Sequence, residues 1–362
     1  VNRRYIGPVL SVLLIIGVGA ALFFSVRERL GALRTVTVNG LTGSEKEEFL
    51  QDERVLTALR RHGLDLTFEK AGSRQIATSF DLSQYDYTFP AGVPSAEKIR
   101  REQGVSRSYE PFFTPMAVAS WRPIADTLVA NGLATKQGNY YTLDMAKLLD
   151  LINQGTRWSD LADNPDYAVN KRILITSTDI RRSNSAAMYL ALMSYVANGN
   201  QIVQSEAQAW ALLPQLSAIF LEQGFTEYSS EAPFEDYLVM GMGKAPLVMI
   251  YEAQFISYTA ATDGNITADM VLMYPEPTIF TKHTLVPLTD NGARLGEALE
   301  TDAELQRLAV DFGFRSNDTA YFREFVEQNN LPVPPSLINV IEPPSYEVLE
   351  SMIVEIEKLY GN

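Results

Sequence analysis

Residues 35–70 read TVTVNGLTGSEKEEFLQDERVLTALRRHGLDLTFEK. Thr35 to Val38 is β-branched throughout and runs into Asn39-Gly40, which predicts a strand ending in a turn. Ser44-Glu45-Lys46-Glu47 has capping-box spacing, so a helix is expected to open there. Phe49, Leu56 and Leu59 recur at helical spacing with Val55 alongside. His62-Gly63 closes that helix, with glycine at the C′ position. Leu64 to Glu69 is a second strand, and the whole stretch is one βαβ unit. A strand, a crossover helix and a second strand imply a parallel pair, hence α/β architecture.

The alternation continues outward. Strands are expected at Tyr85 to Phe89, Phe112 to Ser120, Arg172 to Thr176, Leu247 to Tyr251 and Met270 to Tyr274, the last running into Pro275-Glu276-Pro277. Helices are expected from Ser95 to Arg101, Trp121 to Asn131, Leu143 to Asn153, Ser183 to Asn198 and Pro214 to Gln223, with Pro214 in a first turn. Further helices are Pro233 to Met240, residues 296–311 and 318–329, and an amphipathic segment from Tyr346 to Leu359. No internal repeat or low-complexity tract interrupts them.

Upstream, Tyr5 to Val26 is uncharged and long enough to cross a bilayer, which takes about 20 apolar residues. A cleaved signal peptide is the competing reading, but the apolar run continues past its small-residue site at Val18-Gly19-Ala20. Residues 1–30 are therefore expected to form a transmembrane anchor. Arg3 and Arg4 precede the span, which favours the N-terminus inside and the bulk of the chain outside the cytoplasm. The short stretch to Arg34 would hold the folded part close to the membrane.

Of the 362 residues, 46% are hydrophobic and 20% charged, and the formal net charge is −14. That composition supports a large core and disfavours a nucleic-acid partner. There is no cysteine, which excludes disulfides, cysteine-held metals and a thiol nucleophile. Only His62 and His283 are histidines, so a His-rich metal site is excluded. No cofactor is expected.

Two later segments carry a resemblance. The first is Ile173-Leu174-Ile175-Thr176-Ser177-Thr178-Asp179 leading into Arg181-Arg182-Ser183-Asn184-Ser185-Ala186-Ala187-Met188-Tyr189. The second is Gly243-Lys244-Ala245-Pro246-Leu247-Val248-Met249-Ile250-Tyr251-Glu252 followed by Gln254. In this order, and with the opening βαβ unit and Ala71-Gly72-Ser73-Arg74 after it, they resemble bacterial type II periplasmic solute-binding proteins. The resemblance spans about residues 35 to 315. It implies two α/β lobes joined by crossing strands, with ligand held between them: residues 31–115 and 265–362 in lobe 1, and 116–264 in lobe 2. It also implies delivery of the ligand to a transporter permease. A transmembrane anchor departs from the family's usual lipidated or free forms, and so admits a second role as a membrane-tethered sensor or adaptor with a membrane signalling partner.

In open α/β sheets, ligands bind beyond the carboxyl ends of the strands. Gly72, Ser73 and Arg74 follow one strand and combine close backbone approach, a hydroxyl and a guanidinium that pairs with oxyanions. Gly92 follows the Tyr85 to Phe89 strand. Ser177, Thr178, Asp179, Arg181, Ser183, Asn184 and Ser185 bracket the loop into a helix whose free amides favour an anion. Capping by Ser183 is the bland alternative. Tyr251, Glu252 and Gln254 end a strand, and Trp121 follows an expected crossing strand. Arginines on one side and Glu252 on the other suit a zwitterion; without Glu252, an oxyanion fits better.

Other signals are weaker. Asp263, Asn265, Thr267 and Asp269 lack a calcium loop's glycine and terminal glutamate, and read as a polar turn. Gly241-Met242-Gly243-Lys244 lacks P-loop spacing. A hydrolase built on serine and either histidine has no nucleophile motif behind it.

Overall fold

The computed structural model describes residues 35–224, 226, 230–260 and 266–360. The expected anchor, residues 1–30, lies outside them, as do Asp263 and Asn265. No described helix is long and apolar enough to cross a membrane.

The chain opens with β1 (Val36–Thr42), α1 (Glu47–Gln51), α2 (Glu53–Arg61) and β2 (Leu64–Lys70), and β1 and β2 are parallel. The βαβ unit is therefore present, with two changes. Strand β1 runs straight through Asn39-Gly40 instead of turning there. The Tyr87 ring lies against Gly40, where an added Cβ would sit 2.4 Å from Tyr87 Cε1. The expected single helix is broken at Asp52, whose carboxylate caps α2 by accepting from Arg54 N at 2.7 Å. No capping box forms at Ser44, because Ser44–Lys46 is a single 3₁₀ turn that sends Lys46 into the interior.

Next come α3 (Ser73–Thr78), β3 (Tyr87–Phe89) and α4 (Val93–Glu102). Helix α4 is opened by Gly92 and Pro94, not by Ser95. Strand β4 (Tyr109–Trp121) leads to α5 (Arg122–Ala130), the hairpin β5 (Ala134–Gln137) and β6 (Tyr140–Asp144), and α6 (Met145–Gln154). The expected Arg172 to Thr176 strand makes only isolated bridges, Arg157 with Arg172 and Thr176 with Val248. Helix α7 (Asn184–Ala197) is buried on nearly every side. Helix α8 (Glu206–Leu221) starts well upstream of its expected origin, capped by Ser205, so Pro214 lies inside it. Then follow α9 (Glu231–Met240), β7 (Leu247–Tyr251), α10 (Glu252–Ala260), β8 (Met270–Glu276) and β9 (Thr278–Pro287). The chain closes with α11 (Asp290–Thr301), α12 (Ala303–Asp311), β10 (Arg315–Ser316), α13 (Thr319–Gln328), β11 (Val340–Ile341) and α14 (Tyr346–Leu359).

The described strands form one sheet in the order β2-β1-β3-β9-β4-β8-β6-β5, with β7 and β10 also on β4 and β11 on β9. Strand β4 joins its two halves. Its first part pairs with β9 and β10; its second, from Met116, pairs with β7 and β8. Each half has its own core. Val38, Phe49, Leu59, Phe89, Phe112 and Leu285 pack in the first. Met116, Leu148, Tyr189, Leu216 and Met273 pack in the second. Helix α14, expected with the first lobe, instead adds Leu349, Met352, Ile353 and Ile356 to the second core.

Asp302 separates α11 from α12, which read as one segment in sequence. Its carboxylate accepts from Glu304 N at 2.9 Å and Leu305 N at 3.1 Å, and pairs with His62 Nε2 at 2.8 Å. Asp302→Ala is expected to lower stability by about 1 kcal/mol, the usual cost of losing an N-cap, as read from a urea unfolding midpoint.

Candidate functional site

The parallel strands β1, β2 and β3 end at one edge of the sheet, and the loops beyond them are knitted together. Gly43 N donates to Phe89 O at 3.4 Å, Ala71 N to Thr42 O at 3.0 Å, and Ala91 N to Ser73 Oγ at 2.9 Å. Opposite them stands the start of α7. A Cβ on Gly72 would lie 2.8 Å from Arg182 O, and one on Gly92 would lie 2.4 Å from Asn184 Oδ1. Both glycines thus permit a backbone approach that no larger residue would allow without movement.

Behind this contact the α7 loop is a closed hydroxyl network. Ser185 Oγ lies 2.8 Å from Thr178 Oγ1 and 3.0 Å from Ser183 Oγ, and Asn184 Nδ2 donates to Tyr251 Oη at 3.2 Å. Ser183 holds the N-cap position without a side-chain cap bond. Gln254 Oε1 accepts from Tyr251 N at 3.0 Å, holding the end of β7. The structure thus brings Gly72, Ser73, Gly92, Thr178, Ser183, Asn184, Ser185, Tyr251 and Gln254 to the seam between the halves.

Next to Tyr251 lies a buried charged cluster absent from the sequence reading. Lys46 Nζ donates to the Glu45 carboxylate, lies 3.3 Å from His283 Nδ1, and sits 4.8 Å from the centroid of the Phe89 ring. Lys46 and His283 are both fully buried. Burial and the Lys46 ammonium drive the His283 pKa down to about 4, so the ring is neutral at pH 7. Burial alone would raise the Glu45 carboxyl, but Lys46 and His283 outweigh it and hold it well below the carboxylate range. Burial also lowers the Lys46 pKa. His283 Nε2 is buried with no hydrogen-bond partner among the described residues.

Glu45 also borders a cavity of about 200 Å³ between the halves. Glu47, Glu48 and Glu231 line it, with Tyr251, Gln254 and Tyr258. No lysine, arginine or histidine is among its described lining residues. Burial, reinforced by Glu235, Glu48 and Glu47, raises the Glu231 carboxyl pKa.

Six expected ligand contacts are committed elsewhere. Arg74 forms a forked pair with Glu350, at 2.9 Å from Nε and 2.5 Å from Nη2, and Nη1 donates to Arg181 O at 2.9 Å. Arg181 pairs with Asp179 at 2.8 and 2.5 Å. Burial raises the Asp179 carboxyl, and Arg181 outweighs it, leaving the carboxyl below its usual value. Glu252 is fully buried in a forked pair with Arg315, at 2.7 and 2.8 Å, and accepts from Tyr274 Oη at 2.6 Å. Trp121 donates from Nε1 to Ala245 O at 3.0 Å and packs on Tyr237. It sits at the far end of the β4–β7 ladder from the Met116–Tyr251 pair. Ser177 N donates to Gln223 Oε1 at 2.7 Å, and its side chain borders a pocket beside α8 and α9.

Neither histidine has a serine hydroxyl among its partners in the described residues: His62 bonds Asp302, and His283 meets Lys46 and Glu45. No group of three or more histidines, aspartates or glutamates among the described residues is placed to hold a metal ion.

No protein-family model matches the sequence, and no curated protein does. Solved structures do share its architecture. A sulfate-binding protein from Mycobacterium tuberculosis matches with a TM-score of 0.50 at 14% identity, over 83% of this chain and 93% of that one. Apo ferric ion-binding protein A from Pasteurella haemolytica matches with a TM-score of 0.51 at 11% identity, over 89% and 98%. The fold is that of the two-lobed, type II solute-binding proteins. An ABC transporter protein from Clostridium perfringens, with a TM-score of 0.50 at 14% identity over 90% and 98%, agrees. At these identities the likeness is one of fold, and the chemistry of the cleft must be read from this chain's own residues.

Proposed function

We propose that this protein captures a small solute outside the cytoplasm by closing its two lobes on it, and passes it to a membrane transporter. The carrying observation is the seam itself. Loops from β1, β2 and β3 of one half meet the α7 start and the β7 end of the other, next to a cavity. Hinge closure about strands shared by two halves, as β4 is shared here, is an established way of trapping a ligand. The expected N-terminal anchor would keep the protein at the membrane.

The chemistry of the cleft narrows the solute. Both guanidiniums expected to meet an anion are neutralised by Glu350 and Asp179. Four glutamates line the cavity with hydroxyls and aromatic faces; Glu45 is paired with Lys46 and Glu47 with Lys70 at 2.7 Å, so the lining carboxylates outnumber the two lysines that pair with them. That set favours a solute carrying an ammonium group, so among the classes suggested by the sequence the zwitterion fits better than the bare oxyanion.

A thermal-shift screen of the purified chain tests this, with oxyanions, carboxylates, sugars, short peptides, amino acids and amines in the panel. A solute at a hundred times its Kd is expected to add about 2.7 kcal/mol of stability. Hits confined to oxyanions would overturn the ammonium reading. Silence across the panel would instead favour a tethered adaptor, to be pursued by partner capture.

A further inference from the structure

Helix α14 carries two different edges. Its apolar edge, Leu349, Met352, Ile353 and Ile356, is built into the second core with α7 and α8, and Tyr360 Oη just beyond it donates to Phe220 O at 3.3 Å. Its other edge carries Glu347, Glu350 and Glu357, and these face basic side chains of the first half. Arg74 of α3 forks onto Glu350 and reaches Glu357 at 3.5 Å. Arg101 of α4 pairs with Glu347, and Lys98 of α4 lies 5.6 Å from the centroid of the Tyr346 ring. Arg74 also donates to Arg181 O, at the foot of α7. One helix anchored in one half thus holds the other half by matched charges, next to the Gly72 and Gly92 contacts that close the seam.

We propose that α14 is an ionic strap that holds the two halves together before any solute arrives. The Arg74–Glu350 fork is the main tie, because it is half-buried and bidentate. The exposed Arg101–Glu347 pair adds little by itself. Screening shortens the reach of such charges from about 10 Å at 0.1 M salt to about 3 Å at 1 M, so salt loosens the strap. A fixed share of closed molecules raises apparent affinity for a solute that binds only the closed form.

The strap rests on the two-lobed reading but on no particular solute, and its test needs none. The chain has no cysteine, so Thr57→Cys and Ala207→Cys supply the sole pair of spin-label sites, on exposed positions of α2 and α8. The label-to-label distance is measured on the full chain in detergent. The parent is expected to show one short, narrow distance at low salt. Glu350→Gln is expected to lower the closed-to-open ratio about tenfold, and 1 M salt to lower it in the parent by less, since a half-buried contact pair is screened less than exposed charges. Arg74→Lys, which keeps the charge, is expected to retain more of the short distance than Arg74→Gln, whereas a merely structural role for the side chain would rank the two variants alike. A matching urea unfolding midpoint verifies that each variant is folded. A distance unchanged by Glu350→Gln and by salt, or equal distances in Arg74→Lys and Arg74→Gln, would overturn the strap. Silence in the solute screen would leave it standing.

Discussion

Glu252→Ala is expected to lower the unfolding free energy by about 3–5 kcal/mol. The carboxylate is fully buried, and the Arg315 side chain that forks onto it is only 7% exposed. Arg315 also donates to Pro334 O at 2.8 Å, which ties the 334–335 segment to the start of α10. Tyr274 completes the group. Burial and the Glu252 charge push its hydroxyl pKa well above the usual value, so it remains a donor. Removing the carboxylate leaves a guanidinium without its counter-ion in a site closed to water, which is the costly way to break such a pair. Replacing both partners, as Glu252→Leu with Arg315→Met, is expected to cost less than Glu252→Ala alone, because no charge is stranded. Urea unfolding of the three proteins decides it. A Glu252→Ala protein of parental stability that had lost only solute binding would return Glu252 to the cleft role expected from sequence.

Stability is expected to fall by about 3 kcal/mol as pH is lowered from about 6.5 to 4, through His283. In the unfolded chain a histidine takes up its proton near pH 6.5; in the fold it resists until about pH 4. Between those values the unfolded state binds more protons, so acid favours it. Above pH 6.5 both states are neutral at this position and the contribution is complete. The charged groups facing the ring are Lys46, which opposes its protonation, and Glu45, which favours it less than burial and Lys46 oppose it. Phe112, Phe314 and Tyr251 supply the surrounding rings. Glu45 acts in the same direction at lower pH, since its carboxyl is held below the unfolded value. Urea midpoints across this range should slope steeply in the parent and visibly less in His283→Leu. Equal slopes would show that the acid sensitivity comes from elsewhere.

Much of the fold was legible because it rests on local regularities. Strands β1 and β2, the helix between them, and the buried helix α7 follow from β-branched runs, helical spacing and glycine stops, which need no partner to be recognised. Gly72 and Gly92 were legible as seam positions because they follow the ends of β2 and β3, where open α/β sheets place their contacts, whereas the α7 loop follows a segment that makes only isolated bridges. Strand β9 was missed because both its faces are buried, so Thr278 to Pro287 shows no clean alternation, and Lys282 and His283 interrupt its apolar run.

The cleft's electrostatics belonged to tertiary structure alone. Arg74, Arg181 and Glu252 are named by sequence as charges near a ligand edge, but whether a charge is free depends on what lies opposite. Their partners Glu350 and Arg315 are far away along the chain, and even the neighbouring Asp179 required the loop to fold back. Glu45 and Lys46 read as the surface of a capping box until a single 3₁₀ turn carried Lys46 inward against His283. Sequence alone therefore determined the α/β class, the opening parallel strands and the buried helix α7, since those follow from short-range sterics and periodicity. Folding decided which charges at the seam are paired, because that is set by contacts between residues that only the packed chain brings within a few ångströms of each other.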